Sequence, residues 1–355
     1  MTRKIIISLL ALLVLGKLSA QELFFEGELS THFDNTEYTG SGIGDSRTVF
    51  AVRLTPTLGY RFDSNHSVVV GANLLKDFGS HNVIDDTMLV AYYQFQNSRF
   101  GANAGIFQRN KLIGHYSRAF FSDAYLIYHP LVQGVAGRYT GAKGFAELAV
   151  DWDGIYSPEV REKFRVLLAG GGTFAEIGYA GACFSMQHFA NKSTFYGNVV
   201  DNLILNPYVG VKFNAFFDFD IRLGGLITAQ RDRKTEECWE LPAGGELYFK
   251  MTRWGVYIDN NLYVGNSLTP YYHTIGKDGV AYADNLYTLD PFYGTTHKVY
   301  NRTGIGYSRS FAGDRVSVKA EMALQYDGHK MYCQQLVGIS ATIAPTLYDK
   351  KNHKK

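Results

Sequence analysis

The chain has 355 residues with 35 Lys+Arg against 33 Asp+Glu, 46% hydrophobic and 15% aromatic residues, 37 Gly and only 8 Pro. Charge this evenly balanced argues against a nucleic-acid partner, and no stretch after the N-terminal one reaches the eighteen or so consecutive apolar residues of a membrane-spanning helix. Abundant Tyr, Phe and Gly with few helix-period patterns fit many strands joined by turns.

Residues 1–20, MTRKIIISLLALLVLGKLSA, place Arg3 and Lys4 before an apolar run and end on a small residue, Ala20. This is the layout of a secretory signal peptide, so the mature chain is exported. Residues 21–345 are read as one domain. Residues 346–355 are read as a basic tail, with Lys350, Lys351, Lys354 and Lys355 solvated. Cys183, Cys238 and Cys333 match no metal spacing and imply no disulfide framework, although a Cys238 to Cys333 bridge stays open in an exported protein.

From Glu22 onward strand candidates follow one another at 22–34, 47–62, 67–78, 87–97, 99–112, 131–140, 144–153, 161–174, 176–189, 202–216, 219–230, 240–252, 254–265, 297–309, 315–327 and 334–344. That makes about sixteen, with 14 or 18 as alternatives. Short connections, such as 63–66, 97–98, 141–143 and 311–314, alternate with longer ones, such as 35–46, 113–130, 190–201 and 266–296. Short turns on one side and long loops on the other are the layout of an even-stranded outer-membrane barrel with both chain ends in the periplasm. The expected fold is therefore all-β, a closed antiparallel transmembrane barrel in the bacterial outer membrane.

Period-two patterning supplies the facing. In 201–230 the alternate set Leu203, Leu205, Pro207, Val209, Val211, Phe213 through Ile227 is apolar throughout, while the complementary set carries Lys212, Asp220 and Arg222. The same alternation runs through 50–61, 146–153 and 315–327. In a membrane barrel the apolar set meets lipid and the polar set meets a lumen. Two prolines inside strands, Pro56 and Pro207, run against this reading, because each removes a ladder donor. The turn inside FFDFD is also weak, with Asp218 and Asp220 its only turn formers.

No HExxH, GxSxG, Walker loop or paired CxxC occurs, and neither a metal nor a cofactor is expected. The polar sets converge on one wall: Lys212, Asp220, Arg222, Glu246, Lys250, Asp259, Asn261 and Arg302. Crossed charges there act either as a constriction that selects solutes or as a hydrogen-bonded plug. Two loops are richer than a bare barrel needs. One, in 100–125, carries Arg109, Lys111, His115 and Arg118 and is long enough to fold inward. The other, 266–296, carries Tyr271, Tyr272, Tyr282, Tyr287, Phe292 and Tyr293, which either bind a ligand such as a sugar or pack the loop on itself.

The layout resembles bacterial outer-membrane barrels of the porin type, and VVDNLILNPYVGVKFNAFFDFDIRLG, GVYIDNNLYVG and DPFYGTTHKVYNR look like segments of an uncharacterised barrel group of Bacteroidota. The resemblance implies fold and location. Such barrels often end in an aromatic residue that the assembly machinery reads, whereas this chain ends KKNHKK. The expected function is a passive or weakly selective channel for small hydrophilic solutes, not an enzyme, with outer-membrane lipid and the assembly machinery as partners. The alternatives are a barrel hydrolase acting on lipid or peptide, and a structural or adhesive barrel working through its outer loops. Oligomeric state is not legible.

Overall fold

Alternating apolar and polar residues can be satisfied in a bilayer only if every strand edge is paired, which requires the sheet to close. In the computed structural model, which describes residues 22–40, 46–193, 199–233, 238–276 and 279–349, it does. The signal peptide and the tail lysines lie outside the described residues. Sixteen long strands follow in order: β1 Glu22–Glu37, β2 Arg47–Arg61, β3 His66–Asp77, β4 Asp86–Gln96, β5 Phe100–Gln108, β6 Leu131–Thr140, β7 Gly144–Gly154 and β8 Lys163–Phe174 form the first half. The second half is β9 Gly178–Phe189, β10 Val200–Asn214, β11 Asp218–Asp232, β12 Ala243–Arg253, β13 Val256–Gly265, β14 Val299–Phe311, β15 Val316–Tyr326 and β16 Met331–Ile343. Each pairs antiparallel with the next, and β1 pairs with both β2 and β16, closing the barrel. A short β17, Thr346–Asp349, continues beyond Pro345 and pairs with Glu22 to Phe24, so the first residues of the expected tail belong to the wall.

The facing follows the pattern. On β11 Leu223 and Ile227 are exposed to the outside while Thr228, Gln230 and Asp232 are buried inside. The FFDFD turn closes without Gly or Pro because neighbouring side chains hold it. Asn214 Nδ2 donates to Asp218 Oδ1 at 2.6 Å, and the Arg253 guanidinium lies 3.5 Å from the Phe216 ring centroid and donates to the Phe216 carbonyl. Pro207 sits in β10, where its missing N–H would leave the Gly225 carbonyl of β11 bare; Asn206 Nδ2 donates to that oxygen at 2.8 Å instead. The proline is tolerated because its neighbour replaces the lost bond.

Two outer connections turn into the barrel. The first, 109–130, leaves β5 through a single helical turn, Arg109–Lys111, and carries the short helix α1, Asp123–Tyr128, capped by Ser122. This inward turn ends β5 at Gln108, earlier than the 99–112 strand the sequence suggests. The second, 266–298, packs Phe292 against Tyr38, Tyr300 and Tyr332. The loops bond to each other through backbone: Ser122 N donates to Thr288 O at 2.7 Å and Asp290 N to Arg118 O at 2.8 Å. Tyr271, Tyr282, Tyr287, Phe292 and Tyr293 are all buried, and the Tyr282, Tyr287 and Tyr293 hydroxyls donate to Asp232, Gln230 and Glu246, so the loop aromatics seat it against the wall.

Candidate functional site

The eight wall residues expected from the sequence all project from β10 to β14 toward the inside, but they split into two groups. Toward the periplasmic end Lys212 Nζ meets Asp220 Oδ2 at 3.3 Å, and Arg222 lies over the rings of Tyr208 and Tyr248. Lys250 is opposite Asp220 in the β11–β12 register and sits over Tyr257. Deeper in the barrel Glu246 accepts from Asn261 Nδ2 at 3.0 Å and from the Tyr293 hydroxyl at 2.8 Å, which ties the second inward loop to the wall. Arg302 meets Asp259 at 3.6 Å and bonds Glu321, which also takes Lys319 at 2.9 Å. Glu321, absent from the wall expected from the sequence, joins this group through the β14–β15 register.

The loops divide the lumen. Glu147 of β7 accepts from the backbone N–H groups of Ile113 and Gly114 at 2.6 and 3.1 Å, and from the Tyr116 hydroxyl at 3.1 Å, pinning the first loop deep inside. Arg109 reaches Asp151 at 2.7 Å. Arg165 bridges the two loops, donating to Thr288 Oγ1 at 3.2 Å and to the Tyr125 hydroxyl at 3.3 Å. Separate spaces of 330, 240 and 410 Å³ remain: an outer vestibule lined by Asp123, His129 and Asp290, an inner one lined by His115, Arg118, Asp220 and Arg222, and one beside β1 to β3. Burial lowers the pKa of His115 and His129 and pushes the Asp290 carboxyl up to about 6, whereas Arg118 holds the Asp123 carboxyl below its usual range against the effect of burial. His115 and His129 are carried into the barrel with the first loop.

A second polar group lies on the other face of the wall. Register places Trp152, Phe164, His188, Asp201 and Arg231 side by side on five consecutive strands, β7 to β11, near the ends that carry the long loops. These residues share the face of Leu148, Leu168, Leu205 and Ile227, all exposed, so the row lies at the outer rim of the lipid-facing surface. His188 Nδ1 is 3.7 Å from Asp201 Oδ1, and Arg233 grips the same carboxylate with two bonds of 2.7 and 2.8 Å. Arg231 stands 4.0 Å from Asp201 and stacks over Trp239 at 4.8 Å, with its Nε lacking a hydrogen-bond partner among the described residues. Trp152 stacks on Phe164, and Phe164 touches the His188 ring. Aromatic rings at the lipid boundary are ordinary in barrels. An imidazole beside a carboxylate and two guanidiniums on that face has the chemistry to move a proton and hold an anion. The signal in the sequence was present but unread: Asp201 and Arg231 are the charged ends of otherwise apolar alternations, and His188 ends the outward set Ala180, Ala182, Phe184 and Met186.

Among the described residues no group of His, Cys, Asp and Glu is arranged to hold a metal ion, and the three cysteines are free.

Comparison with known proteins adds two findings. A family model described as lipid A 3'-O-deacylase-type matches residues 15–252, more than half of the chain. Among solved structures, Pseudomonas aeruginosa OpdO superposes with a TM-score of 0.54 at 10% identity, over 94% of this chain and 100% of that one. A doubly substituted OccD1 (OprD) gives 0.50 at 10% identity, over 92% of this chain and 96% of that one. These likenesses speak to the fold, a porin-like outer-membrane barrel. A search of curated protein sequences gave no match.

Proposed function

Because the chain belongs to the lipid A 3'-O-deacylase-type family, we propose that it is an outer-membrane hydrolase that removes an ester-linked acyl chain from a lipid, working at the outer rim of its lipid-facing surface. The observation that carries this reading is the His188 and Asp201 pair on the face that meets lipid. A lipid ester cannot be delivered through a lumen filled by two hydrogen-bonded loops, but it lies beside this rim by default.

In the proposed reaction His188 takes a proton from water as its oxygen attacks the acyl carbonyl. The tetrahedral intermediate then collapses, the ester C–O bond breaks, and the imidazolium returns the proton to the departing alkoxide. Asp201, held by Arg233, favours the imidazolium, and Arg231 offers its unpartnered Nε–H to a developing oxyanion or to a phosphate on the substrate. Trp152 and Trp239 lie at headgroup level to seat the lipid.

The test is acyl release by the refolded protein from lipid A in mixed micelles, followed by mass spectrometry, with His188→Ala and Asp201→Asn alongside. Loss of one acyl chain that disappears in His188→Ala supports the reading. Release unaffected by both substitutions removes this site.

A second reading, a channel for small hydrophilic solutes, is favoured by the porin-like fold and by the spaces of 240 and 410 Å³ flanking the inward loops. In it the Lys212, Asp220 and Arg222 group lines the periplasmic entrance. Stepwise conductance in planar bilayers that changes with Asp220→Ala and Arg222→Ala supports it. A silent, folded barrel excludes it.

A further inference from the structure

The 410 Å³ space between the first inward loop and strands β1 to β3 is unusual in what its walls leave unsatisfied. Arg53, only 7% exposed, donates from Nε to Asn73 Oδ1 at 3.2 Å and from Nη2 to the Ile127 carbonyl, and makes no ion pair among the described residues. Arg109, 6% exposed, lines the same space with an Nη1 that has no acceptor among the described residues. Among those residues Arg53 therefore has no carboxylate within ion-pair distance, and Arg109, paired with Asp151 through Nη2, keeps one N–H for a further acceptor. Acceptors awaiting a donor stand beside them: Gln108 Oε1 is buried without a partner, and the Glu28 carboxylate makes neither a hydrogen bond nor an ion pair among the described residues. Buried polar groups normally find partners, so a cavity that collects orphans of both kinds invites a ligand that supplies both.

The register fixes their spacing. Ser30 is opposite Arg53 and Glu28 opposite Thr55, so Glu28 and Arg53 are diagonal neighbours on the inner face, within reach of each other's long side chains. No hydrogen bond or ion pair joins the two among the described residues, and both line the same space. The rest of the wall is mixed: Leu112, Phe121, Leu126 and Pro130 form its apolar part, beside Ser30, His32, Thr55 and Asn110. The volume falls at the lower end of the roughly 300–1,000 Å³ of small-molecule sites.

We propose that this cavity binds a small zwitterion, an α-amino acid or short peptide with an apolar side chain. The ligand carboxylate faces Arg53 and Arg109, its ammonium faces Glu28 and Gln108, and its side chain rests on Phe121 and Leu126. The site is separate from the outer rim, so it stands or falls independently of the hydrolase reading.

The experiment is isothermal titration calorimetry on the refolded mature protein in detergent, with L-phenylalanine, 3-phenylpropionate and 2-phenylethylamine as probes. The expected result is saturable binding of L-phenylalanine, with each single-charge probe weaker by at least about tenfold. Glu28→Gln, which removes a charge that no described residue hydrogen-bonds or ion-pairs although Arg53 and Lys111 lie within its field, should weaken L-phenylalanine by about tenfold or more and leave 3-phenylpropionate no weaker. Arg53→Met should abolish binding of both, but it also removes the anchor to Ile127, so Glu28→Gln carries the decision. No saturable heat with L-phenylalanine overturns the proposal, as does binding unchanged in Glu28→Gln or 3-phenylpropionate binding as tightly as the amino acid.

Discussion

Glu147 is the residue whose loss should most change the inside of the barrel. Its carboxylate, 4% exposed, is the only acceptor in the described hydrogen bonds for the Ile113 and Gly114 amides and for the Tyr116 hydroxyl. Glu147→Ala would strand two backbone donors in a water-poor interior at roughly 1–3 kcal/mol each. Water entering the vacated space recovers part of that, so a net loss of about 3 kcal/mol in the docking of this loop is expected. At 1.4 kcal/mol per decade this corresponds to about a hundredfold faster amide exchange over residues 112–121. The barrel wall should be unaffected, because its own ladder does not use Glu147. Hydrogen–deuterium exchange followed by mass spectrometry reads both regions at once. Glu147→Gln, which keeps one acceptor oxygen but loses the charge, should fall between. Exchange in 112–121 changed by less than about threefold in Glu147→Ala would refute the argument that this carboxylate pins the loop.

The second inward loop should respond to pH through Asp290. Its carboxyl, at about 6 when folded against an ordinary 3.8, is favoured in the protonated form, so docking is strongest below about pH 4 and weakens as pH rises through 6, by at most roughly 3 kcal/mol. After correction for intrinsic rates, amides in 288–294 should exchange faster at pH 7.5 than at pH 4.5, and Asp290→Asn should flatten that difference. On the lipid-facing side, Leu223→Arg puts a charge on an exposed position near the middle of β11 and should cost about 2–4 kcal/mol, seen as a lower yield of the heat-modifiable folded band. Arg233→Met frees Asp201 at an exposed rim, so it should change stability by less than about 1 kcal/mol; under the hydrolase reading it should still lower acyl release, and unchanged release would remove Arg233 from the site.

The loops illustrate how sequence and structure divide the information. Arg109, His115 and Arg118 announced a segment too rich for a plain connection, but the partners that draw it inside, Glu147, Asp151 and Asp290, come from strands and a loop dozens to nearly two hundred residues away. Distant pairing of this kind leaves no local periodicity. The tyrosines of 266–298 were ambiguous for the same reason: whether an aromatic ring packs or binds depends on what stands opposite, and Phe292 stands against Tyr38 and Tyr332.

What the amino-acid order by itself determined was the wall: strand number, strand ends to within a few residues, the closed antiparallel sheet, and the inner and outer faces. Period-two alternation and loop length are local properties, so they can be read from neighbours in the chain. What only the tertiary structure decided was the filling of the lumen and the row at the outer rim. His188, Asp201 and Arg231 lie on three strands, and only the register between strands brings an imidazole, a carboxylate and a guanidinium to the same height. Register is fixed by the closure of the whole sheet, a condition that no single stretch of the chain contains.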